Sequence, residues 1–334
     1  MHIRYLRAEK RARETCESEE YDADIIILSI NRLHHTLAAV RSSLKQRMVN
    51  ARIAVLDQGS SDETLSTLKA EILAYPTVQL VTAGHNLGVG GGRNFLTSIG
   101  KGRIIVGLDN DAVFADDYVV HNALKLFDKE AKLGALGFHI LSRDGSRTDE
   151  SCWGYPSRLK SRCKERFLTT TFVGAGHAIR RTTWNEAGEY DPNLFFTWEE
   201  YDFCLRAIAQ KWVIMYDGSL CVCHHAAGEE RVRWSTGRQR LFVRNRLIIG
   251  RKWGQSWLSL LPRIIAYTIN GAINRNLRST FAGIFDAISC DQALPKQEMT
   301  ARMHNYLLKN EKQHRGSLYE RLRTEVLKPL QGNS

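Results

Sequence analysis

The sequence predicts an α/β domain with a mostly parallel sheet, followed by a helical C-terminal region. Over residues 23–112, apolar runs of strand length alternate with segments of helical pattern, the arrangement of repeated strand–helix–strand units. From about residue 235 to the end, the pattern is helical throughout. The 334 residues suffice for one large domain or two modest ones, each with a proper core.

Four strands are expected in the first part of the chain, at residues 24–29, 51–56, 78–81 and 103–108. The first of them is a continuous apolar run, which suits a parallel strand that is buried on both faces. Beyond about residue 135 the alternation of strands and helices becomes less regular. Further strands are expected there at residues 169–180, 213–216 and 219–223.

Helices are expected between these strands. The first helix is expected at residues 34–47. Ser60 and Glu63 have the spacing of a capping box, which predicts a second helix that begins there and ends at about residue 74. The glycine-rich segment 84–92 is expected to be a loop before a short helix. Residues 199–211 place apolar side chains on one helical face.

Polar side chains follow each of the first four strands. Asn31, Asp57, Asn86 and Asp109 all stand at or just after the carboxyl end of an expected strand. Ligands of open α/β sheets bind at that edge. The sequence therefore predicts a binding site there.

Composition narrows the class of protein. Nothing in it indicates disorder, collagen or a disulfide scaffold. Seven cysteines at irregular spacing and a charged segment 1–22 without an apolar core predict free thiols and a cytoplasmic protein. A net charge of +11, concentrated in residues 231–252, favours anionic partners such as nucleotides, although a solvated basic face is an equally ordinary explanation.

The Asp109-Asn110-Asp111 segment is the first candidate for chemistry. Two carboxylates at i and i+2 after a buried strand can both reach one Mg²⁺ or Mn²⁺ ion, whose other ligands are water and phosphate oxygens. The alternative is a polar turn. Nearby, glycines 88–92 with Arg93 can bring backbone N–H groups and a guanidinium to a diphosphate.

Two further segments carry candidate groups. Glu199, Glu200 and Asp202 open an expected helix, where acids suit the helix dipole but can also act as a general base. His224 and His225 follow a strand, and either can complete the ligand shell of a cation held by Asp109 and Asp111. Their spacing from Cys221 and Cys223 matches no usual zinc site.

Together and in this order, these segments resemble the family-2 inverting glycosyltransferases, in particular the branch that includes bacterial rhamnosyltransferase-like enzymes. The resemblance covers roughly residues 22–255. It implies the GT-A fold, a Rossmann-like mixed sheet with a nucleotide-binding half (23–112) and an acceptor half (113–234), preceded by a charged leader (1–22). Residues 235–334 would form a helical C-terminal extension.

The resemblance also implies roles. A divalent metal, Mn²⁺ or Mg²⁺, would be held by Asp109, Asp111 and either His224 or His225. Glu200, or else Glu199, would be the base, with Asp202 orienting the site. A UDP- or dTDP-sugar would be the donor. The implied nucleotide-sugar-binding residues are Ser29, Asn31, Arg32, Asp57, Gly59, Asn86, Gly88, Arg93, Asn94, Asp109 and Asn110.

Two other functions stay open. A nucleotidyltransferase that makes a nucleotide sugar has a similar half, but its glycine-arginine loop should follow the first strand, whereas here that strand ends in Ser-Ile-Asn-Arg. A non-catalytic basic module is the second, although no nucleic-acid reader motif is present and no nucleic-acid partner is expected. The acceptor is unknown. As a hypothesis, the C-terminal helices contact an anionic membrane surface or a lipid-linked acceptor.

Overall fold

The computed structural model describes residues 4–5, 21–225, 237–293 and 295–321. Most of the expected leader, residues 1–22, lies outside these ranges, as does part of the basic segment 231–252. Within the leader, the described Arg4–Tyr5 pairs with a strand of the sheet.

In the described ranges, ten strands form one sheet. They are β1 (Arg4–Tyr5), β2 (Ala23–Ser29), β3 (Ala51–Asp57), β4 (Val78–Thr82), β5 (Ile104–Asp109), β6 (Ala112–Phe114), β7 (Leu133–Leu141), β8 (Arg166–Thr169), β9 (Gly176–Arg180) and β10 (Val213–His224).

The strand order is β1-β4-β3-β2-β5-β9-β7-β10-β6, with β8 paired to β10. Strands β4, β3, β2 and β5 are parallel neighbours, as the sequence predicts for its first half. Strand β9 is antiparallel to both β5 and β7, and β10 is parallel to β7. The mixed α/β architecture expected from the sequence is thereby confirmed.

The helices lie between and after the strands. They are α1 (Leu33–Leu44), α2 (Asp62–Ile72), α3 (Gly88–Ser98), α4 (Val119–Lys129), α5 (Arg181–Ala187), α6 (Glu199–Ala209), α7 (Gln239–Lys252), α8 (Trp257–Ile273), α9 (Leu277–Cys290), α10 (Ala301–Asn310) and α11 (Leu318–Arg321). The helical pattern expected beyond residue 235 is confirmed within the described part of that region.

Both faces of the sheet are covered, because successive side chains of a strand point to opposite sides. Ile25 and Ile27 of β2 belong to the core under α1, α2 and α4. Ile26 belongs to the other core, together with side chains of α3, α5, α6 and α7. The C-terminal helix α7 therefore packs into the same core as the sheet, with Val243 and Leu247 fully buried.

Two local expectations near the sheet edge were wrong. Helix α2 is capped by Ser61, whose hydroxyl accepts from the Thr64 N–H at 3.3 Å, and not by Ser60. Ser60 instead accepts a hydrogen bond from the Asn31 N–H. The glycines from Gly88 onward form the first turns of α3 and not a loop, because Gly88 supplies the positive φ of 75° from which the helix starts.

Two expectations about later strands also differ from the structure. Residues 169–180 are not one strand, since β8 ends at Thr169 and β9 begins at Gly176. Residues 213–224 form one long strand with a register shift between Asp217 and Cys221, where two short strands were expected. The intervening Gly218 lies against the backbone of Lys164, so the chain bends without ending the strand.

Asp24 connects strand β2 to three other parts of the fold. Its fully buried carboxylate accepts hydrogen bonds from the Tyr21 hydroxyl at 3.0 Å and from the Gly102 N–H at 2.9 Å. It also forms ion pairs with Arg52 of β3, at 2.9 Å, and with Arg181 at the start of α5. A buried carboxylate is tolerated only with such a complete set of partners.

We expect Asp24→Asn to lower the free energy of unfolding by about 3–5 kcal/mol, because it leaves two largely buried guanidinium groups without their counter-charge. Urea denaturation measures this loss. Glu71→Gln is the control, since the exposed Arg41–Glu71 pair should be worth less than about 1 kcal/mol. An equal loss of unfolding free energy in the two variants would show that the buried ion pairs of Asp24 stabilise the fold no more than an exposed pair does.

Candidate active site

A cleft of about 1480 Å³ runs along the carboxyl ends of β2, β3 and β5 and continues to the C-terminal helices. Its walls come from the strand ends, the start of α3, the segments 150–154 and 173–175, the turn before α6, the end of β10, and helices α7 to α9. The strand-end site expected from the sequence thus coincides with the large cleft.

Asp111 and His224 face each other in this cleft. The Nε2 atom of His224 lies 3.4 Å from Asp111 Oδ1, and Arg32 forms an ion pair with the other oxygen. Burial alone would raise the pKa of Asp111, but the hydrogen bond and charge of His224, together with Arg32, lower it. Asp109 and Asn110 line the same wall. Carboxylate oxygens and an imidazole nitrogen of this kind can hold a divalent cation.

A second group of side chains fixes the ring of His224. Its Nδ1 atom lies 2.9 Å from Asp149 Oδ2 and 3.5 Å from the Cys152 sulfur. One ligand atom from each of these three residues falls within 4.8 Å of the others, so they could also hold a metal ion. A carboxylate on one ring nitrogen leaves the other nitrogen aimed at a ligand. Asp149 thus directs Nε2 towards Asp111.

The two adjacent histidines lie differently with respect to the cleft. His224 lines the cleft, whereas His225 does not. The contact that His225 makes there is from its backbone N–H, which donates to the Asp111 carbonyl oxygen at 2.6 Å. His225 therefore fixes the Asp111 backbone, and His224 presents its imidazole.

Arg93 joins the two acidic sides of the cleft. Its guanidinium, which is 3% exposed, donates to Asp109 Oδ1 at 3.0 Å, to Glu200 Oε1 at 2.9 Å and to the Gly174 carbonyl oxygen at 2.8 Å. Burial alone would lower the pKa of Arg93, but the nearby acids outweigh this effect and raise it. A permanent positive charge therefore separates the carboxylates of β5 and α6.

The two glutamates at the start of α6 differ in their surroundings. Burial raises the pKa of Glu200, and its ion pair with Arg93 partly offsets the rise. Burial and the charge of Glu200 raise the pKa of Glu199 to about 8. Glu199 is 3% exposed and its Oε2 atom has no hydrogen-bond partner. Both residues line the cleft.

Asp202 lies outside the cleft wall. Its fully buried carboxylate accepts from Lys252 of α7 at 2.8 Å and from Arg206, one turn along its own helix, at 3.0 Å. These contacts orient α6 against α7.

The turn before α6 has an unusual backbone. Phe195, Thr197 and Trp198 have φ angles of 59°, 71° and 71°, in the left-handed region that residues with a Cβ rarely adopt. The fully buried Asn245 of α7 holds this turn, since its side-chain amide donates to the carbonyl oxygens of Leu194, Phe196 and Thr197 at 2.7–3.0 Å. Strained backbone of this kind concentrates at functional sites.

The residues expected to hold the nucleotide fall into two groups. Ser29, Arg32, Asn86, Gly88 and Arg93 line the cleft, as do Asp109 and Asn110. The remaining four make contacts within the protein and do not line it; they are Asn31, Asp57, Gly59 and Asn94.

These four residues shape the wall through contacts within the protein. Asn31 accepts from the Ser61 N–H and so ties the end of β2 to the end of β3. One oxygen of the buried Asp57 accepts from the N–H groups of Gly59 and Ser60, while the other has no partner. The side-chain amide of Asn94 donates to the Tyr190 carbonyl oxygen and accepts from the Tyr190 N–H.

Sequence reasoning missed several groups of the cleft. Gln58 lines it and accepts from the Leu87 N–H at 3.0 Å. Asp149, behind the wall, and Cys152 come from an irregular segment with no motif. Three arginines of the basic segment also line the cleft; they are Arg238, Arg240 and Arg244. Their clustering in the sequence was the available signal. Arg231 and Arg233 of that segment lie outside the described residues.

Residues 24–187 match the family described as Glycosyl transferase family 2. The match covers the sheet edge with Asp57, Arg93, Asp109 and Asp111. This part of the chain, just under half of its length, is thus similar to family-2 glycosyl transferases.

Curated relatives match over shorter stretches. The chain is 33% identical over 106 residues to an uncharacterized protein of Haemophilus influenzae. It is 27% identical over 124 residues to the succinoglycan biosynthesis protein ExoO of Rhizobium meliloti. It is 32% identical over 96 residues to WfgD of Escherichia coli, a UDP-Glc:alpha-D-GlcNAc-diphosphoundecaprenol beta-1,3-glucosyltransferase. These stretches span 31%, 37% and 29% of this chain, and 57%, 35% and 37% of the relatives.

Two solved structures share the fold. One is the mannosyltransferase PcManGT from Pyrobaculum calidifontis in complex with GDP-Man and Mn²⁺, with a TM-score of 0.54 and 14% identity over 90% of this chain and 85% of that one. The other is GalNAc-T7 with UDP, GalNAc and Mn²⁺, with a TM-score of 0.59 and 14% identity over 93% of this chain and 59% of that one. The expected GT-A fold is confirmed.

The raised pKa of Glu199 predicts a specific pH dependence of stability. The folded protein keeps this proton up to a pH of about 8, whereas the unfolded chain releases it near the ordinary value of 4.5. Stability should therefore fall as pH rises between these values, by up to about 1.4 kcal/mol per pH unit. Glu199→Gln should make that slope smaller by the contribution of this one carboxyl group, measured by urea unfolding at several pH values in a metal chelator.

Glu189→Gln serves as the matched control, because Glu189 is exposed and close in sequence. Its unfolding curves should keep the slope of the unmodified protein. A Glu199→Gln variant with that same slope would show that Glu199 ionises in the folded state much as it does in the unfolded chain.

Proposed function

We propose that this protein transfers a sugar from a UDP- or dTDP-sugar to a hydroxyl group of an acceptor, with inversion at the anomeric carbon. One observation carries the proposal: a single cleft places Asp111 and His224 on one side and Glu200 on the other, with Asp109 and Arg93 between them. The similarity of residues 24–187 to family-2 glycosyl transferases supports it. So do relatives whose names describe sugar transfer.

The residues of the cleft are proposed to hold a divalent cation. Asp109 and Asp111 offer carboxylate oxygens and His224 offers Nε2, a donor set that suits Mn²⁺ and also admits Mg²⁺. When bound, the ion supplies positive charge that stabilises the departing nucleoside diphosphate. Both structural neighbours were solved with Mn²⁺, which supports the same choice here.

Glu200 is proposed as the general base. It takes the proton of the acceptor hydroxyl while that oxygen bonds to the anomeric carbon and the bond from this carbon to the diphosphate breaks. A raised pKa makes a carboxylate a better proton acceptor near neutral pH, and Arg93 keeps Glu200 oriented. Glu199 is the alternative base, but its pKa of about 8 keeps it protonated at neutral pH.

The nucleotide is proposed to lie along the ends of β2 and β3. Ser29, Arg32 and Gln58 line that part of the cleft, and Asp57 shapes the turn behind it. The name of WfgD includes UDP-Glc, and GalNAc-T7 was solved with UDP, which supports UDP or dTDP. The acceptor would be an intermediate of polysaccharide or glycoconjugate synthesis, as the names of ExoO and WfgD suggest.

Calorimetric titration of UDP and of dTDP, with and without Mn²⁺, tests the donor site. We expect binding that requires the metal and that weakens at least about tenfold in Asp111→Ala, the effect of losing one charged contact. Asp144→Ala is the control, because Asp144 is an exposed acid that bonds to Ser142 and Ser146 of its own loop.

Two other outcomes would favour one of the alternative functions, a nucleotidyltransferase or a non-catalytic basic module. Turnover of UTP or dTTP with a sugar 1-phosphate, releasing pyrophosphate, would favour the nucleotidyltransferase. Absence of nucleotide binding under every metal condition, together with tight binding of single-stranded nucleic acid, would favour the basic binding module.

Mn²⁺ titration without nucleotide tests the histidine assignment. His224→Ala should weaken Mn²⁺ binding, and Asp149→Asn should weaken it about 10- to 100-fold, because a side chain that orients a metal ligand has effects of that size. His225→Ala is the matched control and should bind Mn²⁺ normally. Equal losses in the two histidine variants would contradict the assignment of His224.

A further inference from the structure

Helices α8 and α9 carry an outward apolar stripe. Of the seventeen large hydrophobic side chains that are exposed in the described residues, nine lie on these two helices. They follow one another at steps of three or four residues within each helix, so they share a helical face. The nine are Leu258, Leu261, Ile265, Ile269, Ile273, Leu277, Phe281, Phe285 and Ile288.

This stripe is not the face by which the helices pack onto the protein. The inward face of α9 is formed by Thr280, Gly283 and Ala287, which are buried. Gly283 lies so close to the α7 backbone that a Cβ there would collide with Arg240. The apolar stripe is therefore additional to the folding core, and clustered exposed apolar surface marks an interaction site.

The charges beside the stripe favour an anionic partner. Residues 257–290 contain three arginines and a single acid, Asp286. Asp286 is already paired with Arg240 at 2.6 Å. Arg275 and Arg278 are exposed at the turn between the two helices. A second copy of the chain would bring the same positive charges into opposition, whereas an anionic surface would attract them.

The length and apolar character of helices α8 and α9 indicate how they contact such a surface. Within the described residues, the helices lack the combination of length and apolar character that crossing a membrane requires. Helices with one apolar face and flanking cations lie in the plane of a bilayer surface, with the apolar side chains among the acyl chains. Phe281 and Phe285, 55% and 70% exposed, are the largest of these side chains.

We propose that the α8–α9 hairpin docks its apolar stripe on the surface of an anionic lipid bilayer. The cleft reaches the same helix: Asp286, Ser289 and Cys290 line it, next in sequence to Phe285 and Ile288 of the stripe. Docking therefore brings one end of the cleft to the lipid surface. If the proposed glycosyl transfer holds, the acceptor is anchored in that bilayer; the docking itself does not depend on the reaction.

Co-sedimentation of the full chain with vesicles tests the docking, using phosphatidylcholine alone and phosphatidylcholine mixed with phosphatidylglycerol. We expect binding to the anionic vesicles that weakens in high salt, because screening acts on the arginines. Replacing Phe281 and Phe285 together by Ser should weaken it at least about tenfold. Replacing Arg275 and Arg278 together by Glu should weaken binding to the anionic vesicles selectively.

The matched control replaces Met48 and Leu73 by Ser, since both are exposed apolar residues outside the hairpin. This variant should bind vesicles normally. Thermal unfolding and the Mn²⁺-dependent UDP titration should be unchanged in all three variants, which separates lost docking from lost folding or a lost donor site.

Three results would overturn the proposal. The unmodified protein could remain in the supernatant with anionic vesicles at low salt. The Met48/Leu73 variant could lose as much binding as the Phe281/Phe285 variant. The purified protein could be a dimer that the Phe281/Phe285 variant dissociates, which would make the stripe a subunit interface. Vesicle binding without UDP binding would instead leave the docking intact and contradict the proposed function.

Discussion

The geometry of the cleft depends on one buried cation. Arg93 projects from the glycine-rich start of α3 and bonds to Asp109 at the end of β5 and to Glu200 at the start of α6. Without the positive charge of Arg93 between them, the carboxylates of Asp109 and Glu200 would repel each other. The small residues around it follow from this constraint: a Cβ at Gly174 would meet Arg93 and Glu200. The end of β5 and the start of α6 are thus joined through a charge, and the protonation of either carboxylate affects the other.

The sequence predicted the edge of the sheet well because strand ends obey a local rule. A buried apolar run followed by Asp109 or by Asn86 places that side chain at the carboxyl end of a parallel strand, whatever the rest of the chain does. The rule gives the position of a residue at the strand end, but it does not give the direction in which the side chain points. Asp57 stands at such an end too, yet its carboxylate turns back onto Gly59 and Ser60, and its neighbour Gln58 faces the cleft. The glycines were recognised, but their helical conformation was not, since glycine favours no single structure.

The rest of the site could not be predicted because distant segments assemble it. His224 and His225 are adjacent, and only the pairing of β10 with β6 and β7 decides which of the two rings faces Asp111. Asp149 and Cys152 meet His224 from a segment without periodicity, so no pattern identified them. The partners of Asp202 are likewise far apart in the chain, because Lys252 reaches it from α7. Such contacts are properties of the packed fold and not of any window of sequence.

Because of Asn245, the cleft is completed only after part of the C-terminal third of the chain has been synthesised. The turn that carries Glu199 and Glu200 has three residues in the left-handed region, and the amide of Asn245 holds it from α7. A chain synthesised only as far as the end of β10 contains Asp109, Asp111, both glutamates and His224, but not the Asn245 side chain that holds the turn before α6. The nascent chain therefore stays without a finished cleft until α7 has emerged and packed. A fragment ending at residue 234 would retain all the residues that match the family and lack the contacts that hold the turn before α6.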